Sequence, residues 1–227
     1  MKLEELESQI NLKFKNSDLL KEAVTHRSYL NEKPSWPVPH NERLEYLGDA
    51  VLELAVSEML FKKFPTEPEG QLTLLRAALV NYQMLSEVAL SINLDQFILM
   101  SKGEAKDTGK AREVILANAI ESLIGAIYLD QGFKEVTPFV QKFIFSRLSG
   151  VLKNKTYKDS KSTLQEIVQE RFKLTPTYKV EEESGPAHQK KFKVGVYFGE
   201  KFVAEGGGFS KQEAEIEAAK EALKNYG

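Results

Sequence analysis

One stretch constrains the fold of this chain more than any other: residues 41–54, with the sequence NERLEYLGDAVLEL. Its apolar residues recur at helical spacing and predict one core-facing stripe on a helix that ends near Phe64; they are Leu44, Leu47, Val51 and Leu54. Its acidic residues Glu42, Glu45 and Asp49 recur at i, i+3 and i+7 and therefore share a different face.

Two interpretations of this acidic row are open. The ordinary one is a solvated helix face. Against it, Glu45 and Asp49 lie four residues apart, as do Asp49 and Glu53, so both neighbouring pairs carry like charges that destabilise an isolated helix. Position 46, where a lysine would pair with Glu42, holds Tyr46 instead. The second interpretation is that a cation from elsewhere neutralises the row.

Composition narrows the chemistry. The chain has 227 residues, enough for one large or two small domains, and its 42% apolar and 28% charged content is typical of globular proteins. The absence of cysteine excludes disulfides, thiolate metal sites and a cysteine nucleophile. With three histidines in all, a multi-histidine zinc site is disfavoured, so a metal would be held by oxygen, which favours Mg²⁺ or Mn²⁺.

The same reasoning bounds location and partners. No apolar run is long enough for a membrane span, and residues 1–12 are charged rather than signal-like, which predicts a cytoplasmic protein with no membrane partner. The net charge of −2 gives no sign of a nucleic-acid partner. Binding to RNA would therefore depend on the local placement of charge.

The pattern predicts two domains of different class. Residues 1–150 are predicted to be helical, 151–156 to be a polar linker, and 157–227 to form a small α+β unit. In the first domain we expect Pro138 to lie in the first turn of its helix. The expected helices there, besides the acidic one, cover about 16–29, 71–90, 111–129 and 136–148.

The C-terminal unit is predicted to have the order α-β-β-β-α. A first helix should run to about Lys173, and three runs rich in β-branched and aromatic residues should be strands, at 177–183, 189–198 and 201–207. Gly199-Glu200 suits a tight hairpin turn. Ser210 and Glu213 form a capping-box pattern that opens the last helix.

A second polar feature lies in the stretch LANAIESLIGAIYLD, residues 116–130. Asn118 and Glu121 are three residues apart on a helix that is otherwise almost wholly apolar and is therefore expected to be buried, where polar groups need partners. Either they hydrogen-bond to a neighbouring helix, or they face Glu45 and Asp49. In the second arrangement three carboxylates and an amide would converge, and a shared divalent cation would remove their repulsion.

These motifs together resemble the ribonuclease III family of double-stranded-RNA endonucleases. The resemblance covers essentially the whole chain: NERLEYLGDAVLEL, PEG at residues 68–70, LANAIESLIGAIYLD, and a C-terminal unit similar to a double-stranded-RNA-binding domain. It implies an all-α nuclease domain followed by that binding domain. It also implies a homodimeric, Mg²⁺-dependent phosphodiester hydrolase, with Mn²⁺ as a substitute, that leaves 5′-phosphates, 3′-hydroxyls and short 3′ overhangs and processes ribosomal and messenger RNA precursors.

The resemblance also implies roles for individual residues. Glu45, Asp49, Asn118 and Glu121 would hold the metal. Glu42 and Glu69 would support cleavage near it. Asn118 departs from the aspartate common in the family, which removes one negative charge and predicts a lower metal affinity without loss of activity. Tyr46 resembles an aromatic residue that inserts into the partner subunit, although ordinary core packing is an open alternative.

In the C-terminal unit the resemblance implies three contact regions for duplex RNA. Gln165 and Glu166 would reach 2′-hydroxyls from the first helix, and His188 would enter the next minor groove from a Gly-Pro loop. Ser210 and Lys211, which open the last helix, would bind phosphate. Gln212 stands where the family usually has a second basic residue. Alternatively, Gln165, Glu166 and His188 are plain surface residues.

Two rival functions follow from the same residues. One is a non-catalytic duplex-RNA-binding protein whose metal site Asn118 has weakened. The other is a structural helical module with an unrelated acidic surface. Cleavage assays with magnesium or with EDTA, and the effect of replacing Glu121, separate these from a nuclease.

Overall fold

The structure, a computed structural model, describes residues 3–106, 108–154, 160–186 and 190–226. The chain divides into two units, Met1–Tyr157 and Lys158–Gly227, each with its own hydrophobic core. The first is helical and the second has the order α-β-β-β-α, as the sequence predicts. In the part of the chain that the structure describes, no helix has the length and apolar character needed to cross a membrane.

The first unit contains nine α-helices within its described residues, joined by short 3₁₀ turns. They are α1 Leu3–Ile10, α2 Ser17–Ala23, α3 Arg27–Glu32, α4 Glu42–Lys63, α5 Glu69–Val80, α6 Tyr82–Ser91, α7 Lys110–Gln131, α8 Phe133–Phe143 and α9 Leu148–Asn154. Helix α7 is the centre of the core. Between Ile115 and Ile127 every residue is buried except Asn118 and Glu121, which are half-buried.

Several predicted boundaries are wrong because polar caps interrupt apolar patterns. The helix expected over 16–29 stops at Ala23, since the chain extends at residues 24–26 to hydrogen-bond with Leu99, and the His26 side chain then caps α3. The helix expected over 71–90 is two helices. Asn81 has an extended backbone, and its side chain accepts a hydrogen bond from the backbone N–H of Met84, which starts α6.

Three other expectations are corrected in the same unit. Leu54 is 59% exposed and does not belong to the core stripe of α4. Pro138 lies in the second turn of α8, because this helix begins at Phe133 rather than near Val136. Helix α9 continues to Asn154, so the first four residues of the predicted linker 151–156 are helical. The remaining two linker residues lie outside the described residues.

Two glycines determine how closely α4 and α7 approach each other. A Cβ atom built on Gly48 would lie 1.7 Å from the carbonyl oxygen of Glu121, and one built on Gly125 would lie 2.3 Å from the carbonyl oxygen of Leu44. The helices therefore touch backbone to backbone. The hydroxyl of Ser122 adds to this contact, 2.7 Å from the carbonyl oxygen of Asn118 and 3.2 Å from that of Asn41.

The second unit packs two helices against one antiparallel sheet with strand order β1-β2-β3. Its elements are α10 Ser160–Phe172, β1 Pro176–Ser184, β2 Lys191–Phe198, β3 Lys201–Gly208 and α11 Lys211–Tyr226. Gly199 and Glu200 form the predicted two-residue turn, since Phe198 pairs with Lys201 across it and Gly199 has a φ of +63°. The core combines Leu164 and Val168 of α10 with inward-facing residues of β2 and α11.

We predict that Gly48→Ala lowers the free energy of unfolding of the first unit by about 3 kcal/mol or more, because the new methyl group has to push two packed helices apart. Trp36, the single tryptophan, belongs to this unit, so its fluorescence during urea unfolding measures the change. Gly70→Ala is the control, since a Cβ there meets nothing within 4 Å. Equal stability of the two variants would contradict the tight crossing.

Candidate functional site

The crossing of α4 and α7 brings together the four polar residues singled out as metal ligands. Glu45 and Asp49 flank Gly48 on α4, while Glu121 and Asn118 lie about one and two turns before Gly125 on α7. The Asn118 amide donates a hydrogen bond to the Glu45 carboxylate. Asn118 and Glu121 therefore face the acidic row, and the hydrogen bond from Asn118 to α4 is also the contact that the first alternative expects.

Electrostatic repulsion in this cluster is large. The pKa of Glu121 is raised from an ordinary value of 4.5 to about 8, first by burial and then by the charges of Asp49 and Glu45. The pKa of Glu45 is also raised, by burial first, then by Glu42 and more weakly by Asp49, while the hydrogen bond from Asn118 opposes the shift. The cluster is thus a partly desolvated, self-repelling set of carboxylates on two helices.

The donors present fit a hard divalent cation. Three carboxylates and one amide carbonyl supply only oxygen, the ligand type that Mg²⁺ and Mn²⁺ prefer. A cation would also relieve the repulsion that raises the pKa values of Glu45 and Glu121. However, among the described residues no group of three or more His, Cys, Asp and Glu side chains is arranged to hold a metal ion. The carboxylates interact, but their side chains do not form a completed coordination shell.

The two supporting acids lie in different surroundings. Glu42 is exposed at the start of α4, where it forms an ion pair of 3.0 Å with Arg27, and its charge contributes to the raised pKa of Glu45. Glu69 begins α5 and accepts a hydrogen bond from Thr73. It lines a groove of about 410 Å³ between α4 and α5, and it is not among the charges that raise the pKa values in the cluster. The structure groups Glu42, but not Glu69, with the four ligand candidates.

Helix α4 also carries a third face, of which the sequence indicates only Tyr46. Tyr46 is 83% exposed, so packing in the core of its own unit is excluded. Leu54 and Phe61 follow it at i+8 and i+15, with exposures of 59% and 70%. At about 100° per residue, Leu54 and Phe61 lie roughly 80° and 60° around the helix from Tyr46, so the three exposed side chains share one broad side of α4, which we call the α4 outer face. Leu54 and Phe61 follow Leu47 at intervals of seven residues, so apolar spacing alone does not separate them from the core stripe.

A cavity of about 660 Å³ adjoins Tyr46. It is lined by apolar and charged side chains together: Leu19, Glu22, His40, Glu42, Arg43, Leu44, Tyr46, Leu47 and Leu129. Burial raises the pKa of Glu22, although the nearby charges of Arg43 and His40 oppose this. An open cavity beside an exposed aromatic ring is a surface on which a second polypeptide could pack.

Four of the five predicted RNA contacts lie at described positions on or beside the helices of the second unit. Gln165 is exposed on α10 and lines a cavity of about 340 Å³ with Gln212 of α11; Glu166 is exposed next to it. Lys211 forms an ion pair of 3.3 Å with Glu183 at the end of β1. His188 lies outside the described residues, so its predicted place in a loop is not assessed.

Ser210 caps α11 as its pattern predicts. Its hydroxyl oxygen accepts a hydrogen bond from the backbone N–H of Glu213 at 3.1 Å. The Glu213 carboxylate accepts from the backbone N–H of Phe209 at 2.7 Å, one residue earlier than in the usual capping box. Two of the amides near the start of this helix are therefore satisfied within the protein.

Comparison with known proteins agrees with both units. Residues 16–148 match the family described as "Ribonuclease-III-like", and residues 160–226 match "Double-stranded RNA binding motif". The chain is 44% identical to "Ribonuclease 3" of Borreliella burgdorferi, over 95% of this chain and 87% of that protein. It is 45% identical to "Ribonuclease 3" of Carboxydothermus hydrogenoformans, over 96% and 93% of the two chains.

A solved structure resembles the first unit. The nuclease domain of ribonuclease III from Campylobacter jejuni is 44% identical and superposes with a TM-score of 0.58, covering 65% of this chain and 97% of that one. A second structure of the same domain, also with a TM-score of 0.58 and covering 63% and 96%, is described as showing structural flexibility in a region involved in dimer formation.

We predict that stability without divalent cations falls as the pH rises from about 4.5 to 8. Because the folded-state pKa of Glu121 is raised to about 8, the native state binds more protons than the unfolded state in this window, and ionisation then costs stability. In EDTA, Glu121→Gln should flatten this fall and unfold less readily than wild type at pH 8. Trp36 fluorescence, recorded during urea unfolding at several pH values, measures the free energy of unfolding.

Glu67→Gln is the matched control for this measurement, since Glu67 is an exposed loop residue with the same charge change. Its stability should follow the wild-type dependence on pH. If the free energy of unfolding depends on pH in the same way for wild type and Glu121→Gln, then Glu121 is not held in a repulsive, desolvated position.

Proposed function

This chain belongs to the ribonuclease III family and is an endonuclease for double-stranded RNA, and we propose that it is a Mg²⁺-dependent homodimer whose active site is the cluster at the α4–α7 crossing. The observation that carries this proposal is the mutual electrostatic effect of Glu45, Asp49 and Glu121, which belong to two helices. Such an arrangement is unfavourable by itself and becomes favourable around a cation.

In this proposal Glu45, Asp49 and Glu121 bind the cation through carboxylate oxygens, and Asn118 contributes its amide carbonyl oxygen. When bound, Mg²⁺, or Mn²⁺ in its place, supplies a Lewis acid that favours the attack of water on phosphorus and the departure of the 3′-oxygen. The hydrogen bond from Asn118 holds Glu45 in position. Burial and the charges of Asp49 and Glu45 raise the pKa of Glu121, so this carboxyl group would give up a proton on holding the cation.

Glu42 and Glu69 have supporting roles in this mechanism. Glu42 adds negative charge next to Glu45 and is itself held by Arg27, so it can orient a cation-bound substrate without being a ligand. For Glu69 the resemblance within the family is the only support, because its contacts in the folded unit are with Thr73 and the groove beside α4.

The proposed products are 5′-phosphates and 3′-hydroxyls with short 3′ overhangs. Each subunit of the dimer would cut one strand, which accounts for a staggered break. The second unit would bind the duplex by its A-form shape through Gln165, Glu166, Ser210 and Lys211, and the family resemblance adds His188. Family membership supports ribosomal and messenger RNA precursors as the substrates.

The α4 outer face supports the dimer. Tyr46, Leu54 and Phe61 expose large apolar side chains on one broad side of α4, and Tyr46 adjoins an open cavity. Single exposed apolar residues are common on monomers, but three large ones on the same side of one helix are typical of an interaction surface. We propose that the partner subunit covers the α4 outer face and receives Tyr46.

A non-catalytic duplex-RNA-binding protein is the second candidate, favoured by one observation: Asn118 removes a negative charge from the cluster. The two functions differ in a simple assay with purified protein and duplex RNA. Cleavage in Mg²⁺ and none in EDTA supports the nuclease. Binding in both conditions without cleavage in either supports the alternative.

We predict that Glu121→Gln reduces cleavage of duplex RNA by more than about a hundredfold, because one carboxylate ligand is lost from the cluster. Duplex binding, measured by fluorescence anisotropy in EDTA, should stay within about twofold of wild type, since the second unit is unchanged. Glu67→Gln should cleave normally. Loss of both binding and cleavage would contradict the division of labour between the units.

We predict that Asn118→Asp binds Mg²⁺ about tenfold more tightly, because a fourth charge is added close to the cation. The same variant should unfold more readily than wild type in EDTA, since Glu45 loses a hydrogen-bond donor and gains a like charge. Titration calorimetry and thermal unfolding measure the two effects. Asn31→Asp, an exposed substitution on α3, should change neither. An unchanged Mg²⁺ affinity would place Asn118 outside the metal site.

We predict that Tyr46→Ala raises the dimer dissociation constant about tenfold or more, as expected for a buried aromatic anchor. Sedimentation velocity over a range of concentrations measures this. Leu90→Ala, which also removes an exposed apolar side chain but from α6, should leave the dissociation constant unchanged. A monomeric wild-type protein at all concentrations would refute the homodimer.

A further inference from the structure

Two lysines that are distant in sequence meet on one carboxylate in the second unit. Lys190 lies just before β2 and Lys211 is the first residue of α11, and both form ion pairs with Glu183 near the end of β1. One carboxylate oxygen of Glu183 faces each ammonium group. Glu183 therefore connects the two segments that carry these positive charges.

An aromatic ring holds the same two ammonium groups. The ring centroid of Phe192 lies 5.5 Å from the Nζ atom of Lys190 and 5.7 Å from that of Lys211. Phe192 is directly opposite Glu183 in the register of β1 and β2, so the ring and the carboxylate share one side of the sheet. Two independent attractive groups thus converge on one pair of lysines.

Holding the two lysines together is unfavourable in free energy unless a polyanion binds to both. Two ammonium groups near one ring repel each other, and each lysine side chain loses conformational freedom when it is held. Exposed ion pairs return little free energy on their own. The lysine pairing also lowers the pKa of Glu183, so the carboxylate stays ionised at neutral pH and the cluster keeps one net positive charge.

We propose that Glu183 is a positioning residue for duplex-RNA binding, which holds Lys190 and Lys211 side by side so that both ammonium groups contact the phosphate backbone. The inference rests on the proposed RNA-binding role of the second unit. Each lysine has three N–H donors, so it can bind a phosphate oxygen while it keeps its contact with Glu183.

Glu183 has two effects on RNA affinity that differ in sign, and the test uses this difference. Glu183 is also a negative charge close to the expected phosphates, so a purely electrostatic role would weaken RNA binding, and its removal would tighten it. Positioning predicts that its removal weakens binding. The sign of the change therefore separates the two roles.

The experiment compares Glu183→Gln with Glu200→Gln in the full-length protein. Both variants lose one negative charge, but Glu200 lies in the β2–β3 turn at the other end of the sheet. The probe is a labelled RNA duplex of about 20 base pairs, long enough for one binding domain, and anisotropy in EDTA prevents cleavage. We expect the dissociation constant of Glu183→Gln to be about three- to tenfold higher than that of Glu200→Gln.

A double substitution tests whether Glu183 acts through the lysines. In a Lys190→Gln/Lys211→Gln background, the further change Glu183→Gln should alter affinity less than about twofold, because there is nothing left to position. The lysine substitutions should also reduce the slope of log K against log salt by about one for each lost phosphate contact. A general loss of structure would not produce this pattern, and circular dichroism of each variant checks the fold.

Three outcomes overturn or separate the proposals. Affinity of Glu183→Gln equal to or tighter than that of Glu200→Gln refutes the positioning role. Equal weakening by Glu183→Gln with and without the two lysines also refutes it, since Glu183 would then act on the fold. Failure of the wild-type protein to bind the duplex refutes the RNA-binding function itself.

Discussion

The contact between Gly48 and Gly125 controls everything else at the α4–α7 crossing. Without Cβ atoms the two backbones touch, and a carbonyl oxygen of each helix occupies the place of the missing side chain. The same carbonyl that faces Gly48 belongs to Glu121, so the packing contact and the candidate ligand are one residue. A wider crossing would separate Glu121 from Glu45 and Asp49 and would end their mutual electrostatic effect.

That close approach explains why a stable helical unit can hold an unfavourable group of charges. Helix α7 is buried along most of its length, and the apolar area it removes from water offsets the repulsion between three carboxylates. The repulsion remains visible in the raised pKa values of Glu45 and Glu121. In the family's usual arrangement a fourth carboxylate would add to it. Asn118 instead donates a hydrogen bond to Glu45, which lowers the repulsion in the cation-free protein at the expense of charge available to a cation.

Periodicity predicts the helices and strands that bury a complete face. The polar residues Asn118 and Glu121 in an apolar helix, together with the acidic row in another, indicate one pairing of the two helices, but they leave other hydrogen-bond partners open, and the full set of ligand candidates comes from the family resemblance. The wrong helix boundaries and the wrong core residue have two causes: single polar residues that cap helices, and an additional exposed face of α4. The caps at His26 and Asn81 depend on one side-chain hydrogen bond each, which an apolar period does not register. The spacing of Leu54 from Leu47 and Val51 predicts a core position, whereas Leu54 is exposed together with Tyr46 and Phe61 on a third face of α4.

In the second unit several lysines are held in ion pairs with glutamates, and this pairing matters more than the net positive charge. Lys161 pairs with Glu215 and Lys193 with Glu205, while Lys190 and Lys211 share Glu183. A chain with a net charge of −2 attracts a polyanion weakly at long range, so its lysines have to be oriented in advance to bind phosphate. Exposed pairs serve this purpose well, since each is worth at most about 1 kcal/mol and allows the lysine to turn to a phosphate oxygen. RNA binding by this unit should therefore depend more on the geometry of a few lysines than on total charge.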